Sequence, residues 1–176
     1  IDVEEALIKI NTLLGLTKGG LSAFGSQLFA TANKTSTAFK DAAEAATEFS
    51  RQGLDSAETL RRVDASLTLA KLSGLGYEQS VKSITAAMNS FGSEAMTAME
   101  VVDKFAAVDA RFAVSAGDLA LAVGRVGSSA GDAKVGFNEL LAVVASAQQI
   151  TARGGAVIGN AFKTIFTRLE RPQVVA

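Results

Sequence analysis

Few side chains in this sequence have the type and spacing that chemistry requires. Glu44 and Glu48 stand four residues apart in a helical pattern, which puts two carboxylates on one helix face, as an acid/base pair would need. No aromatic or cleft-forming residue accompanies them in the sequence, so a solvated face is the expectation. Gly74-Leu75-Gly76-Tyr77-Glu78-Gln79 opens like a dinucleotide-binding turn, but it lacks the third glycine and no strand pattern precedes it. Gly131-Asp132-Ala133-Lys134-Val135-Gly136 has phosphate-loop spacing, yet Phe137-Asn138 stands where Lys and Ser/Thr must meet phosphate and magnesium. Both segments read as helix–helix loops. Gly127 and Gly131 form a small-xxx-small pair, of the kind that lets helices approach closely in lipid, in surroundings too polar for a lipid setting. The chain has no His, hence no imidazole base or His ligand, and no Cys, hence no thiolate site or disulfide frame. No catalytic, cofactor-binding or metal-ligating residue is expected, and with them no enzyme.

Composition points to helices. The 176 residues suffice for one domain with a core, or for a small domain plus an extended helix. Hydrophobic residues make up 48% and charged residues 20%, which places the chain among globular proteins. Alanine is about a fifth of the chain, well above ordinary usage. There is one proline, one tyrosine and no tryptophan, so helix breakers and β-favouring aromatics are few. Net charge is −1 with both signs interspersed, unlike the clustered Lys/Arg of a nucleic-acid footprint. Arg61-Arg62 and Arg168/Arg171 are small local pairs on solvated faces. Apolar stretches such as 140–147 are too short to span a bilayer. The first residue is Ile1 and not methionine, so an internal fragment of a longer protein is expected.

The periodicity predicts an all-α fold with a long N-terminal helix and a compact helical domain. Residues 1–20 read as a short amphipathic helix carrying Val3, Leu7, Ile10 and Leu14, with a hinge at Lys18-Gly19-Gly20. Residues 21–53 read as one long helix and a possible coiled coil. One seven-residue row there is Leu21, Leu28, Thr35, Ala42 and Phe49, and the other is Phe24, Thr31, Ala38 and Ala45. Residues 54–173 read as a compact domain of two related three-helix units, 54–113 and 114–173. Asp55/Glu58 and Ser115/Asp118 supply capping signatures, and Leu75-Gly76-Tyr77 corresponds to Val135-Gly136-Phe137 sixty residues on. The segment from Gly127 to Gly136 reads as a glycine-broken loop between helices. The expected core comprises Leu60, Val63, Leu67, Val81, Ile84, Met88 and Phe91, then Val102, Phe105, Leu140 and Val144, and finally Phe162, Ile165 and Leu169.

Ala70-Lys71-Leu72-Ser73-Gly74-Leu75-Gly76-Tyr77-Glu78-Gln79-Ser80-Val81 resembles the core region of phage tail tape-measure proteins. The likeness runs on through Ala86-Ala87-Met88-Asn89-Ser90-Phe91-Gly92, Val126-Gly127-Ser128-Ser129-Ala130 and Phe137-Asn138-Glu139-Leu140-Leu141-Ala142. It closes with Gly155-Ala156 and Phe162-Lys163-Thr164-Ile165-Phe166-Thr167-Arg168-Leu169, covering roughly residues 28–171. It departs at Gly76 and Gly136, where such proteins more usually carry a polar cap. The resemblance implies a long, mostly helical protein that is made in the host cytoplasm and runs inside the tail tube of the virion. Its length sets the number of tube rings, and it leaves through the tail tip. It also implies as partners further copies of the chain, tail-tip, hub or baseplate proteins, the tail tube protein and assembly chaperones, with no nucleic acid bound by this segment. A general helical interaction domain and a membrane-active helical protein are the competing readings.

Overall fold

The computed structural model describes residues 3–92 and 96–169, and every element in them is helical: α1 (Val3–Leu14), α2 (Lys18–Thr35), α3 (Phe39–Ser50), α4 (Ser56–Ser73), α5 (Tyr77–Phe91), α6 (Ala98–Asp109), α7 (Ala116–Asp132), α8 (Phe137–Thr151) and α9 (Gly155–Leu169). The all-α expectation therefore holds. The chain divides into two compact units, one of Ile1–Lys71 with Leu75–Val81, the other of Leu72–Gly74 with Lys82–Ala176.

In the first unit the long helix expected over 21–53 is two helices. Ser36 takes the left-handed conformation and its N–H closes α2 on the carbonyls of Ala32 and Asn33. Thr35 Oγ1 bonds back to the Thr31 carbonyl at 2.8 Å and to Thr37 Oγ1 at 3.0 Å, so the Thr-Ser-Thr run satisfies its polar groups locally and stops the helix. Leu28 and Thr35 of α2 and Ala42 and Phe49 of α3 are buried as the seven-residue pattern suggests, but within one unit, where α1, α2 and α3 pack on one another. The expected hinge at Lys18-Gly19-Gly20 is instead the first turn of α2. Gly15, at positive φ, breaks the chain just before it, and Thr17 Oγ1 accepts from Gly20 N–H at 3.2 Å as the cap.

The later helix starts follow their caps. Glu58 N–H donates to Asp55 Oδ1 at 2.7 Å, and Asp118 N–H donates to Ser115 Oγ at 3.0 Å. Thr97 and Glu100 close a reciprocal capping box on α6 that the sequence reading passed over. Gly136 caps α8 without any side-chain bond. The glycine-broken loop expected from Gly127 shrinks to a turn after Asp132, because α7 continues through Gly127 and Gly131.

A second regularity emerges from the helix starts. α5, α7 and α9 begin at 77, 116 and 155, and α6 and α8 at 98 and 137, a constant step of 39 residues per helix pair. The second unit is thus built on a two-helix repeat. The correspondence of 75–77 with 135–137 reflects one and a half of these periods, which also brings helix starts into line.

Val63, Leu67, Val81, Ile84, Phe91, Val102, Phe105, Leu140 and Val144 are buried as expected, while Leu60 and Met88 are half-buried. Phe137 joins Phe91 and Phe105 in the core of the second unit, with ring centroids 5.3 and 5.9 Å away. The expectation fails on α9. Phe162 is only half-buried, and Ile165 and Leu169 are 48% and 53% exposed. The apolar stripe of α9 lies where the spacing puts it, but past Gly159 its large side chains are at best half-buried among the described residues.

Candidate assembly surfaces

The carboxylates singled out by spacing go to ordinary partners. Glu48 receives Arg51 Nη1 at 2.6 Å on the exposed side of α3. Glu44 has an aromatic companion the sequence reading did not foresee, for the Tyr77 hydroxyl donates to its carboxylate across the first unit. That hydrogen bond, then burial, then the charges of Glu44, Glu78 and Asp41 raise the Tyr77 pKa far above the ordinary phenol value. A phenol held protonated in this way is a structural tie between α3 and the start of α5, since it is poorly placed to give up its proton. Arg61 and Arg62 both donate through Nε to Glu58 at 2.9 Å. Partial burial pushes the Glu58 pKa up, and the bonds and charges of Arg62 and Arg61 outweigh it and lower it overall.

The two glycine segments with nucleotide-like spacing lie at helix ends. Gly74, at positive φ, stands between α4 and α5, and 131–136 spans the end of α7 and its turn, with Lys134 also at positive φ. Neither follows a strand among the described residues. No group of three or more His, Cys, Asp or Glu among the described residues could hold a metal ion. No described helix is long and apolar enough to cross a membrane.

What the glycines do instead is bring helices together. A Cβ on Gly124, Gly127 or Gly131 of α7 would lie 3.2 Å from Ser83 Oγ, 3.4 Å from the Ala86 carbonyl and 2.9 Å from the Ser90 carbonyl of α5, respectively. The contact points advance along both helices together, so α5 and α7 run parallel. Ser83 Oγ donates across this seam to the Ala120 carbonyl at 2.8 Å. The opposite face of α7 receives α9 in the same manner. A Cβ on Gly155 would fall 1.8 Å from the Asp118 carbonyl, and one on Gly159 would fall 2.8 Å from the Ala122 carbonyl. Gly155 N–H donates to Asp118 Oδ1 at 2.6 Å, so the carboxylate that accepts from the Ser115 hydroxyl in the first turn of α7 also anchors the start of α9. The pairs 83/120 and 122/159 differ by the 39-residue step on both members, so one seam repeats the register of the other. The small-xxx-small pair Gly127/Gly131 is therefore a close-packing device inside this helical unit, with no lipid required.

Two further surfaces stand open. A shallow groove between α1 and α3 is lined by Ile8, Lys9, Phe39, Lys40, Ala43 and Glu44. On α9, Phe162 and Phe166 stack on each other with centroids 5.9 Å apart beside the exposed Ile165 and Leu169.

The sequence profile of a family described as phage-related minor tail protein matches residues 27–176. No solved structure matches the chain.

Proposed function

The chain belongs to the phage-related minor tail protein family, and on that premise we propose that it is an internal part of a tape-measure protein with a structural, non-catalytic role. The match over residues 27–176 carries this reading, and the ordered likeness of residues 70–169 to the tape-measure core narrows it. The segment acts in the virion tail, in the tube lumen or at the tip. Its partners are further copies of itself, tail-tip, hub or baseplate proteins, the tube protein and the tail assembly chaperones.

The packing supports a particular place for this segment within such a protein. A helix advances about 1.5 Å per residue, and a chain converts residue number into tail length only where it is held extended along the tube. Here turns after α7 and α8 reverse the chain, and α5, α7 and α9 lie side by side. This region is a compact module that contributes little length, and the ruler lies mainly elsewhere in the full protein.

Mass spectrometry and antibody labelling of purified tails test the proposal. The chain should be recovered from intact tail particles and labelled at one end of the tail. Its absence from tails, or its binding to liposomes in place of tails, would refute the reading.

A further inference from the structure

The exposed positions of α7 are Gly124, Arg125, Ser128 and Asp132. Two of the four carry almost no side chain, while α5 and α9 stand close on either side, in contact at Gly124, Gly131 and Gly159. A cleft of about 530 Å³ results, with α7 as its floor. Polar donors from three helices line it: Asn89 and Ser90 of α5, Arg125 and Ser128 of α7, and Lys163 of α9. They converge on one level. Ser90 lies against Gly127 and Gly131. Gly159 lies against Arg125, and Thr167 Oγ1 is 3.4 Å from Ser129 Oγ, so Lys163, midway between those two residues of α9, stands beside 125–129. Ser128 is at the centre of the group. Arg125 and Lys163 have no ion pair among the described residues. The single acid lining the cleft, Asp132, is one turn beyond Ser128 and bridges to neither cation. Two cations against one carboxylate leave the cleft positive, and its concave wall concentrates that field.

We propose that this cleft is a binding site for a tetrahedral oxyanion of the phosphate type. The Arg125 guanidinium offers a fork that meets two oxygens at once, and the Lys163 ammonium adds a second charge-assisted bond from the α9 side. The Ser128 and Ser90 hydroxyls and the Asn89 amide supply the remaining donors. A phosphate presents more acceptor oxygens than a carboxylate, so it engages donors that arrive from three directions more fully. Asp132 opposes the anion and limits its affinity. The glycines that let the helices meet thus also open the floor on which the ligand rests. The site goes beyond the tail assignment and stands or falls separately from it.

The test is a titration of the 176-residue chain with sodium phosphate at neutral pH, with sodium chloride adjusted to hold ionic strength constant, followed by backbone amide NMR shifts. Saturable shifts are expected at Asn89, Ser128 and Lys163. Arg125→Gln and Lys163→Gln should each weaken binding by about fivefold or more. Asp132→Asn should strengthen it by about twofold, because a repelling charge is removed. Arg111→Gln removes the same charge from an exposed position outside the cleft and should leave binding unchanged. All four positions are exposed, so the helical spectrum and thermal midpoint should stay as they are. Phosphate shifts that do not saturate, or that chloride reproduces, would overturn the proposal, as would equal weakening by Arg111→Gln. A short DNA duplex that binds the chain and is lost with Arg125→Gln, where free phosphate does not bind, would overturn it in favour of a nucleic-acid surface.

Discussion

α7 and α9 carry the same pattern of residues one repeat apart, yet they are buried very differently. α7 is enclosed on opposite faces, by α5 along Gly124, Gly127 and Gly131 and by α9 along Asp118 and Ala122, and its apolar row is fully covered. α9 is seated on α7 through Gly155 and Gly159, but among the described residues its own row is only half-buried at Phe162 and exposed at Ile165 and Leu169. The apolar row recurs in the two helices, Val123, Val126 and Ala130 in one and Phe162, Ile165 and Leu169 in the other, so position in the array decides which apolar side chains form core. The comparison also separates two kinds of packing. Side chains such as Phe105 and Phe137 stabilise by area removed from water, whereas the glycines stabilise by what they leave out, allowing backbones to meet.

The largest expected effect lies in the aromatic core. Phe105→Ala should cost about 3–5 kcal/mol in chemical denaturation, because the ring is fully buried beside Phe137. Phe162→Ala should cost about 1 kcal/mol, as its ring is half-buried at the open edge. Equal losses would break the distinction between the covered row and the open one. Gly155→Ala should cost about 3 kcal/mol, since the new Cβ would overlap the Asp118 carbonyl and force α9 off its seat. Gly76→Ala, with nothing nearer than Gln79 Oε1 at 4.0 Å, is the matched control and should be nearly neutral. The comparison is sharpened by the equivalent pair Val126→Ala and Ile165→Ala, with about 2 kcal/mol lost for the first and a few tenths for the second. A smaller effect of opposite sign is expected at Gly19, which lies inside α2 with open space around it. Gly19→Ala should raise stability by about 0.5–1 kcal/mol, measured as a higher thermal midpoint.

Side-chain caps made helix starts legible in the sequence at Asp55 and Ser115, though the equally clear Thr97/Glu100 box was missed. The sequence concealed the break at Ser36, because a helical hairpin that buries one face on both arms keeps its seven-residue rhythm through the turn. Gly127 and Gly131 looked like a loop because glycine weakens an isolated helix. The close approach of α5, which makes glycine necessary there, is a tertiary fact with no local trace. The two-helix period was hidden for a related reason. Starts recur about every twenty residues, so a shift of three helices aligns them as well as a shift of two, and only the paired contacts distinguish the choices. The open row of α9 was legible as an apolar stripe, but its exposure was not, since periodicity reports which face is apolar and not what lies against it. Tyr77 was missed as the partner of Glu44 because 33 residues separate them in the chain.

Electron microscopy of tails assembled with deletion variants of the full protein tests the compact-module account most directly. Removing about thirty residues from a long uninterrupted helix elsewhere in the protein should shorten tails by roughly 45 Å. Removing residues 114–173 takes away α7, α8 and α9, strips α5 of the helix packed along it, and should block tail assembly or docking at the tip. Intact tails shortened in proportion to the residues lost from 114–173 would contradict the account, and would mean that this region is extended ruler.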